Sequence, residues 1–265
     1  TEDFADDSME IENHTDRLPF VIPNCKPFTY LTFGVMDTTD ELYNYLDIST
    51  LDTSKVLSFE YMFMGCANLE ILNISNIKLK QQYVSFQQFA YKCGKMQEII
   101  GIDTIDLTMA RDLHESFYGC SSLKELKFNN TLTNINNIVG ICEFCTSIET
   151  VELNINNTKN FINMTRAFYG CTNLKKCVIG TIKTNDMNAI FGECSSLEEI
   201  EIYGTINDTL IPSDAGVDDA FVGCEKLITI KTNENIKQLL INSADSSYLP
   251  EIFKNPDYEG WIINN

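Results

Sequence analysis

The sequence has few basic residues and almost no histidine. Its 265 residues carry 19 lysines and arginines against 38 aspartates and glutamates, which gives a net charge of −19. Nucleic-acid binding needs clustered Lys and Arg, and anionic membranes attract basic segments. We therefore expect neither as a partner. His14 and His114 stand far apart in the sequence, so a histidine-based catalytic triad has little support.

Other functional signatures are missing as well. The chain has neither a P-loop nor a GxGxxG motif, and no apolar run of about 18 residues, so we expect no membrane-spanning segment. It starts without Met and without a signal peptide, so we expect a chain whose leader has been removed. Carboxylates are abundant, but they recur at positions that we expect to be exposed. A glycosidase pair therefore has little support, and we expect no enzymatic activity.

Cysteine is abundant and regularly placed. Seven of the ten cysteines fall at the same point of one hydrophobic pattern, at Cys66, Cys93, Cys120, Cys145, Cys171, Cys194 and Cys224, with gaps of 27, 27, 25, 26, 23 and 30 residues. A repeat of this length cannot bury its apolar face alone and becomes stable only by stacking on its neighbours. The sequence therefore predicts a solenoid.

The pattern around each cysteine predicts the elements of one repeat. Apolar residues stand seven, four and three positions before the cysteine, a spacing typical of one face of a short α or 3₁₀ helix. Apolar residues three, six and eight positions after it indicate a half-buried strand. Glycines directly before four cysteines (Gly65, Gly119, Gly170 and Gly223) are suited to a left-handed helix stop. We expect the strands of successive coils to pair in parallel.

Two sequence segments indicate which class of repeat is present. Phe-Tyr-Gly-Cys-Ser-Ser-Leu ends at Leu123 and Phe-Tyr-Gly-Cys-Thr-Asn-Leu ends at Leu174. With the Leu-x-x-Ile-x-Ile spacing, they resemble BspA-like leucine-rich repeats, which occur in surface proteins of anaerobic bacteria and some parasitic protists. The stretch from Asp52 to Cys66 resembles a closely related bacterial surface repeat. The resemblance covers about residues 40–232. It implies an α/β solenoid, a right-handed coil of about seven to eight helix/3₁₀–turn–strand repeats with a parallel sheet on one face.

The ends of the chain differ from the repeats. Residues 1–24 are acidic, and we expect a flexible tail; it resembles the region after the lipidated cysteine of bacterial surface lipoproteins. We expect residues 25–50 to form an N-terminal cap and residues 51–232 to form the solenoid. Residues 233–265, with the single tryptophan Trp261, are predicted to be a degenerate repeat and a C-terminal cap.

We expect most cysteines to be free, buried thiols. The seven repeat cysteines share one inward position, and Cys142 and Cys177 replace core residues, so cysteine acts there as a small hydrophobic residue. Cys25 lies outside the repeats and is the candidate reactive thiol. Cys142 and Cys145 form a single Cys-x-x-Cys, and a zinc site would need a second pair or two histidines. We expect neither a metal nor a cofactor.

The outer face of the predicted sheet is the candidate binding surface. Residues five and seven positions after each cysteine point away from the core, and solenoids of this class bind on such a sheet. The candidate ligand-binding residues are Glu125, Lys127, Glu152, Lys176, Glu199, Glu201 and Tyr203. A basic protein segment or a cation would suit Glu199 and Glu201. The simpler interpretation is a solvated polar face.

The resemblance implies a non-enzymatic, adhesin-like protein-binding module at the cell surface or secreted. We expect a monomer with a protein ligand, for example a host extracellular protein. The alternative is a carbohydrate-binding or structural module of a surface nutrient-capture system, which exposed aromatic platforms would favour.

Overall fold

The computed structural model describes residues 20–21, 44–54, 56, 58–79, 84–206, 217, 219–242 and 249–264. The chain is a parallel β-solenoid of about six turns with little helix. Its strands are β1 (Phe20–Val21), β2 (Tyr45–Asp47), β3 (Ile71–Asn73), β4 (Val84–Ser85), β5 (Glu98–Ile100), β6 (Ala110–Asp112), β7 (Glu125–Lys127), β8 (Thr150–Asn156), β9 (Ile162–Asn163), β10 (Lys176–Asp186), β11 (Glu199–Ile206), β12 (Thr229–Thr232) and β13 (Trp261–Ile263).

The strands form two main sheets. The first has the order β1-β2-β3-β5; the second has the order β13-β12-β11-β10-β8-β7, with β9 also paired to β10. A small separate pair joins β4 and β6. All of these pairs are parallel, so the predicted parallel sheet is confirmed. The strands β5 and β7 belong to successive coils but do not pair with each other.

The hydrophobic core follows the register of the repeat. In the described coils, the residues seven, four and three positions before each repeat cysteine are buried, as are those three and six positions after it. Phenylalanines from neighbouring coils pack on one another, as Phe168 does on Phe191 with ring centroids 5.4 Å apart. The inward positions predicted from the sequence are therefore confirmed.

The predicted helices before the cysteines are wrong. These segments are runs of consecutive β-turns, in which neighbouring N–H groups choose different acceptors. Met62 N–H donates to Phe59 O within its own coil at 3.4 Å, whereas Tyr61 N–H donates to Gln87 O of the next coil at 3.0 Å. The same alternation recurs along the solenoid. We call this stack of turns, in residues 59–65, 86–92, 113–119, 138–144, 164–170 and 187–193, the turn ladder.

Left-handed residues stand at two fixed points of the turn ladder. The residue directly before each repeat cysteine has positive φ, including the four predicted glycines and also Lys92, Phe144 and Glu193. So does the residue five positions before each cysteine, which is a glycine in one coil only, at Gly140. Two left-handed residues per segment are incompatible with a helix, and they turn alternate N–H groups towards the next coil.

A polar side chain opens each of these segments. Eight positions before the cysteine stand Ser58, Ser85, Asp112, Asn137, Asn163 and Asp186, and each side-chain oxygen accepts a hydrogen bond from the N–H two residues later, at 2.8–3.2 Å. These are Asx and ST turns, which satisfy a backbone donor at the entry to the turn ladder.

Regular helix occurs near the C-terminus. Within the described residues it comprises α1 (Glu234–Asn242) and a 3₁₀ helix (Glu251–Lys254). Trp261 packs on Phe253 and donates its indole N–H to Phe253 O at 3.2 Å. The number of seven to eight repeats is not confirmed. Apart from β1, the predicted tail lies outside the described residues, as do residues 25–43 with Cys25, and the domain limits stay a prediction.

The repeat cysteines join neighbouring coils. Each thiol from Cys93 onward donates to the carbonyl oxygen of the residue three positions before the preceding repeat cysteine, at 3.0–3.1 Å, as Cys171 does to Cys142 O. That carbonyl also accepts an N–H within its own coil, so the thiol occupies its second lone pair. Cysteine is therefore both a core residue and a hydrogen-bond donor at this position.

The nine described cysteines, all buried and free, are expected to resist thiol reagents in the native state. Burial raises the pKa of the Cys120 thiol well above its usual range and that of Cys224 to about 12, and the reactive species is the thiolate. Labelling with a chromogenic disulfide on a Cys25→Ser background measures this. A Met64→Cys control, at a position 37% exposed, should react at once; rapid reaction of most native thiols would contradict the prediction.

Candidate functional site on the sheet face

The predicted site residues lie along two outward rows of the second sheet. Because side chains alternate between the two faces of a strand, the parallel register aligns equivalent residues of successive coils. One row is Glu125, Thr150, Lys176, Glu199 and Thr229; the other is Lys127, Glu152, Val178, Glu201 and Lys231. We call these ten residues the sheet face. The structure thus brings six of the seven predicted site residues onto one surface.

Ion pairs between neighbouring coils neutralise part of the sheet face. Lys127 Nζ lies 2.7 Å from Glu152 Oε2, and Glu199 Oε1 lies 3.0 Å from Lys176 Nζ and 2.8 Å from Lys231 Nζ. The hydrogen bond from Lys231 lowers the pKa of Glu199. This contribution to stability is present above the ordinary pKa of the carboxyl group and is lost as the pH falls through the lowered value. Since these pairs are partly exposed, each contributes little.

Two carboxylates of the sheet face form no close ion pair, although Lys231 is the cross-strand neighbour of Glu201. Among the described residues no lysine, arginine or histidine lies within ion-pair distance of Glu125 or Glu201, nor of Glu98 on β5. Glu199, by contrast, already contacts two lysines, and the attraction of a basic segment to Glu199 and Glu201 stays a prediction.

The remaining predicted residue, Tyr203, lies beside the sheet face. Its hydroxyl oxygen accepts a hydrogen bond from Asn264 Nδ2 at 2.7 Å, and burial raises the pKa of its phenol. The ring is half-buried, and the phenol also interacts with the carboxylate of Glu201.

A second surface was not predicted from the sequence. Aromatic side chains on the outside of the turn ladder pack in a continuous row, in which Tyr91 stacks on Tyr118 with centroids 4.8 Å apart, and Phe144 lies 5.7 Å from both Tyr118 and Tyr169. The signal was present in the sequence, because an aromatic recurs one or two positions before the repeat cysteine.

The geometry of this aromatic row does not favour sugar binding. A sugar ring packs on a free aromatic face, but these rings cover one another in stacked and edge-to-face pairs. The end rings contact cations: Lys92 Nζ lies 5.1 Å from the Tyr91 centroid, and the Arg166 guanidinium lies 3.7 Å from that of Tyr169. Arg166 is fixed by Glu143 Oε1, to which it donates from Nη2 at 2.6 Å. The rings therefore pack mainly on one another and on these cations.

His114 lies on the turn ladder just after β6, with Nε2 3.8 Å from Glu115 Oε1, and is not part of the sheet face. No helix among the described residues is long and apolar enough to cross a membrane.

Comparison with known families gives the repeat its name. A family model described as BspA type leucine rich repeat region matches six copies, over residues 87–214 and 114–243. The matches together run from 87 to 243, more than half of the chain. The chain belongs to the BspA-type leucine-rich repeat family.

This BspA-type protein also matches a second family model and two solved structures. A model described as Mycoplasma protein of unknown function, DUF285, matches residues 34–130. The chain is similar to a T. pallidum leucine rich repeat protein of known structure, with 20% identity, a TM-score of 0.46 and coverage of 68% of this chain and 75% of that one. It is also similar to a leucine-rich repeat protein from Bacteroides ovatus ATCC 8483, with 16% identity, coverage of 93% and 92%, and a TM-score of 0.17. The comparison with curated proteins found no match.

The family membership confirms the resemblance seen in the sequence and supports a repeat module for protein interaction. Leucine-rich repeat proteins are typically binding or structural modules rather than enzymes.

Proposed function

We propose that this protein is a non-enzymatic, adhesin-like module that binds other proteins at the bacterial surface through the sheet face. The observation that carries the proposal is the sheet face itself, a polar surface in which Glu201 and Glu125 form no close ion pair with a described residue. BspA-type repeats and the second matching family are typical of surface or secreted bacterial proteins, which supports the location. The protein acts as a monomer in this proposal.

The partner surface is basic. An acidic protein of net charge −19 attracts a basic partner over long range, and the carboxylates of Glu125 and Glu201 fix its orientation. Complementary charges of this kind determine association rate and specificity more than affinity. Binding should therefore weaken as salt is raised.

Reversing the charge of the sheet face is expected to weaken binding. In the double variant Glu125→Lys/Glu201→Lys, new cations would face a basic partner, and we expect a loss of at least about tenfold in affinity. Glu199→Lys is less suitable, because it would place three lysines together and lower stability.

The measurement is a pull-down. Immobilised wild type and variant are exposed to solubilised host extracellular proteins, captured proteins are read by mass spectrometry, and their affinities are then measured singly. Glu225→Lys/Glu259→Lys is the matched control, since it changes the net charge equally and both residues are exposed outside the sheet. Equal capture by the sheet-face variant and the control would reject the sheet face as the binding surface.

A further inference from the structure

The stack of parallel strands is interrupted between β5 and β7. The pairs β2-β3, β3-β5, β7-β8, β8-β10, β10-β11, β11-β12 and β12-β13 join their neighbours in the described part of the chain. No strand pairing joins β5 to β7. The interruption therefore leaves two facing strand edges inside the solenoid rather than at its ends.

The interruption removes specific backbone hydrogen bonds. In other coils the N–H four positions after the cysteine donates to the preceding coil: Gln97 N–H to Glu70 O at 2.8 Å and Glu149 N–H to Lys124 O at 2.9 Å. The equivalent bond from Lys124 N–H to Gln97 O is absent. Ile74 N–H donates to Ile100 O of the next coil at 2.9 Å. The equivalent bond one coil later, from Gly101 N–H to Lys127 O on β7, is also absent.

The interruption affects only the strand side of these two coils. On the opposite side of the same two coils the turn ladder is intact, as the bond from Lys92 N–H to Tyr118 O at 2.7 Å shows. Before the opening Ser121 Oγ donates to Gly94 O at 3.1 Å, and after it Asn129 Nδ2 donates to Asp103 Oδ2 at 3.2 Å. Between these bridges lies a cleft of about 560 Å³, which we call the strand slot.

The walls of the strand slot have the chemistry of a peptide site. Ile99 and Leu126 are buried beneath it, and Ile100 is 36% exposed at its edge. Gln97 C=O, Gly101 N–H and Lys124 N–H lack a backbone partner across the interruption, whereas Gln97 N–H, Gly101 C=O and Lys124 C=O are bonded elsewhere. An extended chain supplies matching donors and acceptors at the right spacing. Carboxylates of Glu98, Asp103 and Glu125 line or border the slot together with Lys124 and Lys127.

We propose that the strand slot binds an extended segment of a partner protein by β-strand addition to the free edge of β7. The segment carries an apolar side chain against Ile100 and a basic side chain towards the carboxylates of Glu98 and Asp103. This inference rests on the proposed protein-binding function and specifies how the partner is held: by backbone pairing in the slot, beside the charges of the sheet face.

A test starts from a phage-displayed library of short random peptides selected on the immobilised wild-type chain. Selected peptides are expected to alternate apolar and basic residues, and N-methylation of alternate backbone nitrogens should weaken them at least about tenfold, because it removes edge donors. Hydrogen exchange of the Lys124 and Glu125 amides should be fast in the free protein relative to that of Glu149, and should slow at least about tenfold when the peptide is bound.

A large charged side chain in the strand slot should weaken peptide binding. Ile100→Arg is expected to weaken the peptides at least about tenfold, whereas Ile262→Arg, at an equally outward and 40% exposed position on β13, should leave the affinity unchanged. The proposal is overturned if no peptide is selected, if Ile100→Arg binds as well as wild type, or if the Lys124 and Glu125 amides gain no protection. If host proteins bind the Glu125/Glu201 variant more weakly than wild type but bind Ile100→Arg as well as wild type, the strand slot is not the binding site. The proposed function would still stand in that case.

Discussion

Replacing Gly180 with alanine is expected to destabilise the solenoid by about 3–5 kcal/mol, a loss in the range of the most damaging single substitutions. Gly180 follows an irregularity in β10, where the register against both β8 and β11 shifts between Val178 and Gly180. Its φ is 105°, which L side chains rarely adopt. A Cβ atom there would lie 2.2 Å from Ile155 O, a backbone atom of the preceding coil.

The cause of this loss is the close approach of two coils. Ile155 lies on β8 and pairs with Gly180, so the clash could be relieved only by separating β8 from β10. These strands are central in the second sheet, and their separation would expose core on both sides. Chemical denaturation monitored by circular dichroism measures the change, with a midpoint that falls while the slope is retained.

A matched control is available at Gly94. There the added Cβ would lie 3.6 Å from Ser121 Oγ and 4.0 Å from Gly119 O, which is ordinary van der Waals contact, and φ is not positive. Gly94→Ala should therefore be neutral or stabilise by up to about 1 kcal/mol through the unfolded state. Equal midpoints for the Gly180 and Gly94 variants would contradict the close approach of the coils.

The sequence could predict the positions of the core but not the backbone between them. An apolar spacing of three, four and seven residues fits a helix face, and the consecutive β-turns of the turn ladder bury residues at the same spacing. The difference lies in the acceptor of each N–H, which depends on a coil about 26 residues away. Glycine indicated the left-handed position directly before four of the cysteines. Tyr61, Gln88, Glu115 and Arg166 adopt positive φ without being glycine, so residue type did not indicate the left-handed position five residues before each cysteine.

The candidate site, too, could be predicted only in part from the sequence. The outward rows were predictable, because the alternation along a strand fixes which face a residue occupies. Which carboxylates form close ion pairs was not predictable, since the pairing of Glu199 with Lys176 and Lys231 depends on the register of three coils. The strand slot also has no signature in sequence, because Gln97 to Ile100 and Lys124 to Lys127 read as ordinary repeat strands.

Truncating Phe191 to alanine is expected to cost about 3–5 kcal/mol, the usual range for a fully buried phenylalanine. Its side chain is inaccessible to solvent and lies between Phe168 and Phe221, with centroid distances of 5.4 and 5.8 Å and nearly parallel planes. The cavity would therefore remove contacts with both neighbouring coils. Phe144→Ala, at a ring 39% exposed on the turn ladder, should cost less than about 1.5 kcal/mol.

The destabilisation caused by Phe191→Ala is expected to be largest in the coils next to it. In a solenoid each repeat contacts only its neighbours, so stability is close to a sum of repeat and interface contributions. Phe191→Ala should therefore increase hydrogen exchange first in the coils on the C-terminal side, at amides such as Ile228 and Ile230, whose N–H groups bond to Glu198 O and Gly260 O. Amides of the first sheet, such as Ile74, should keep their exchange rates because the strand slot separates the two sheets. A uniform rise in exchange over both sheets would contradict this independence and would show that the turn ladder alone couples them.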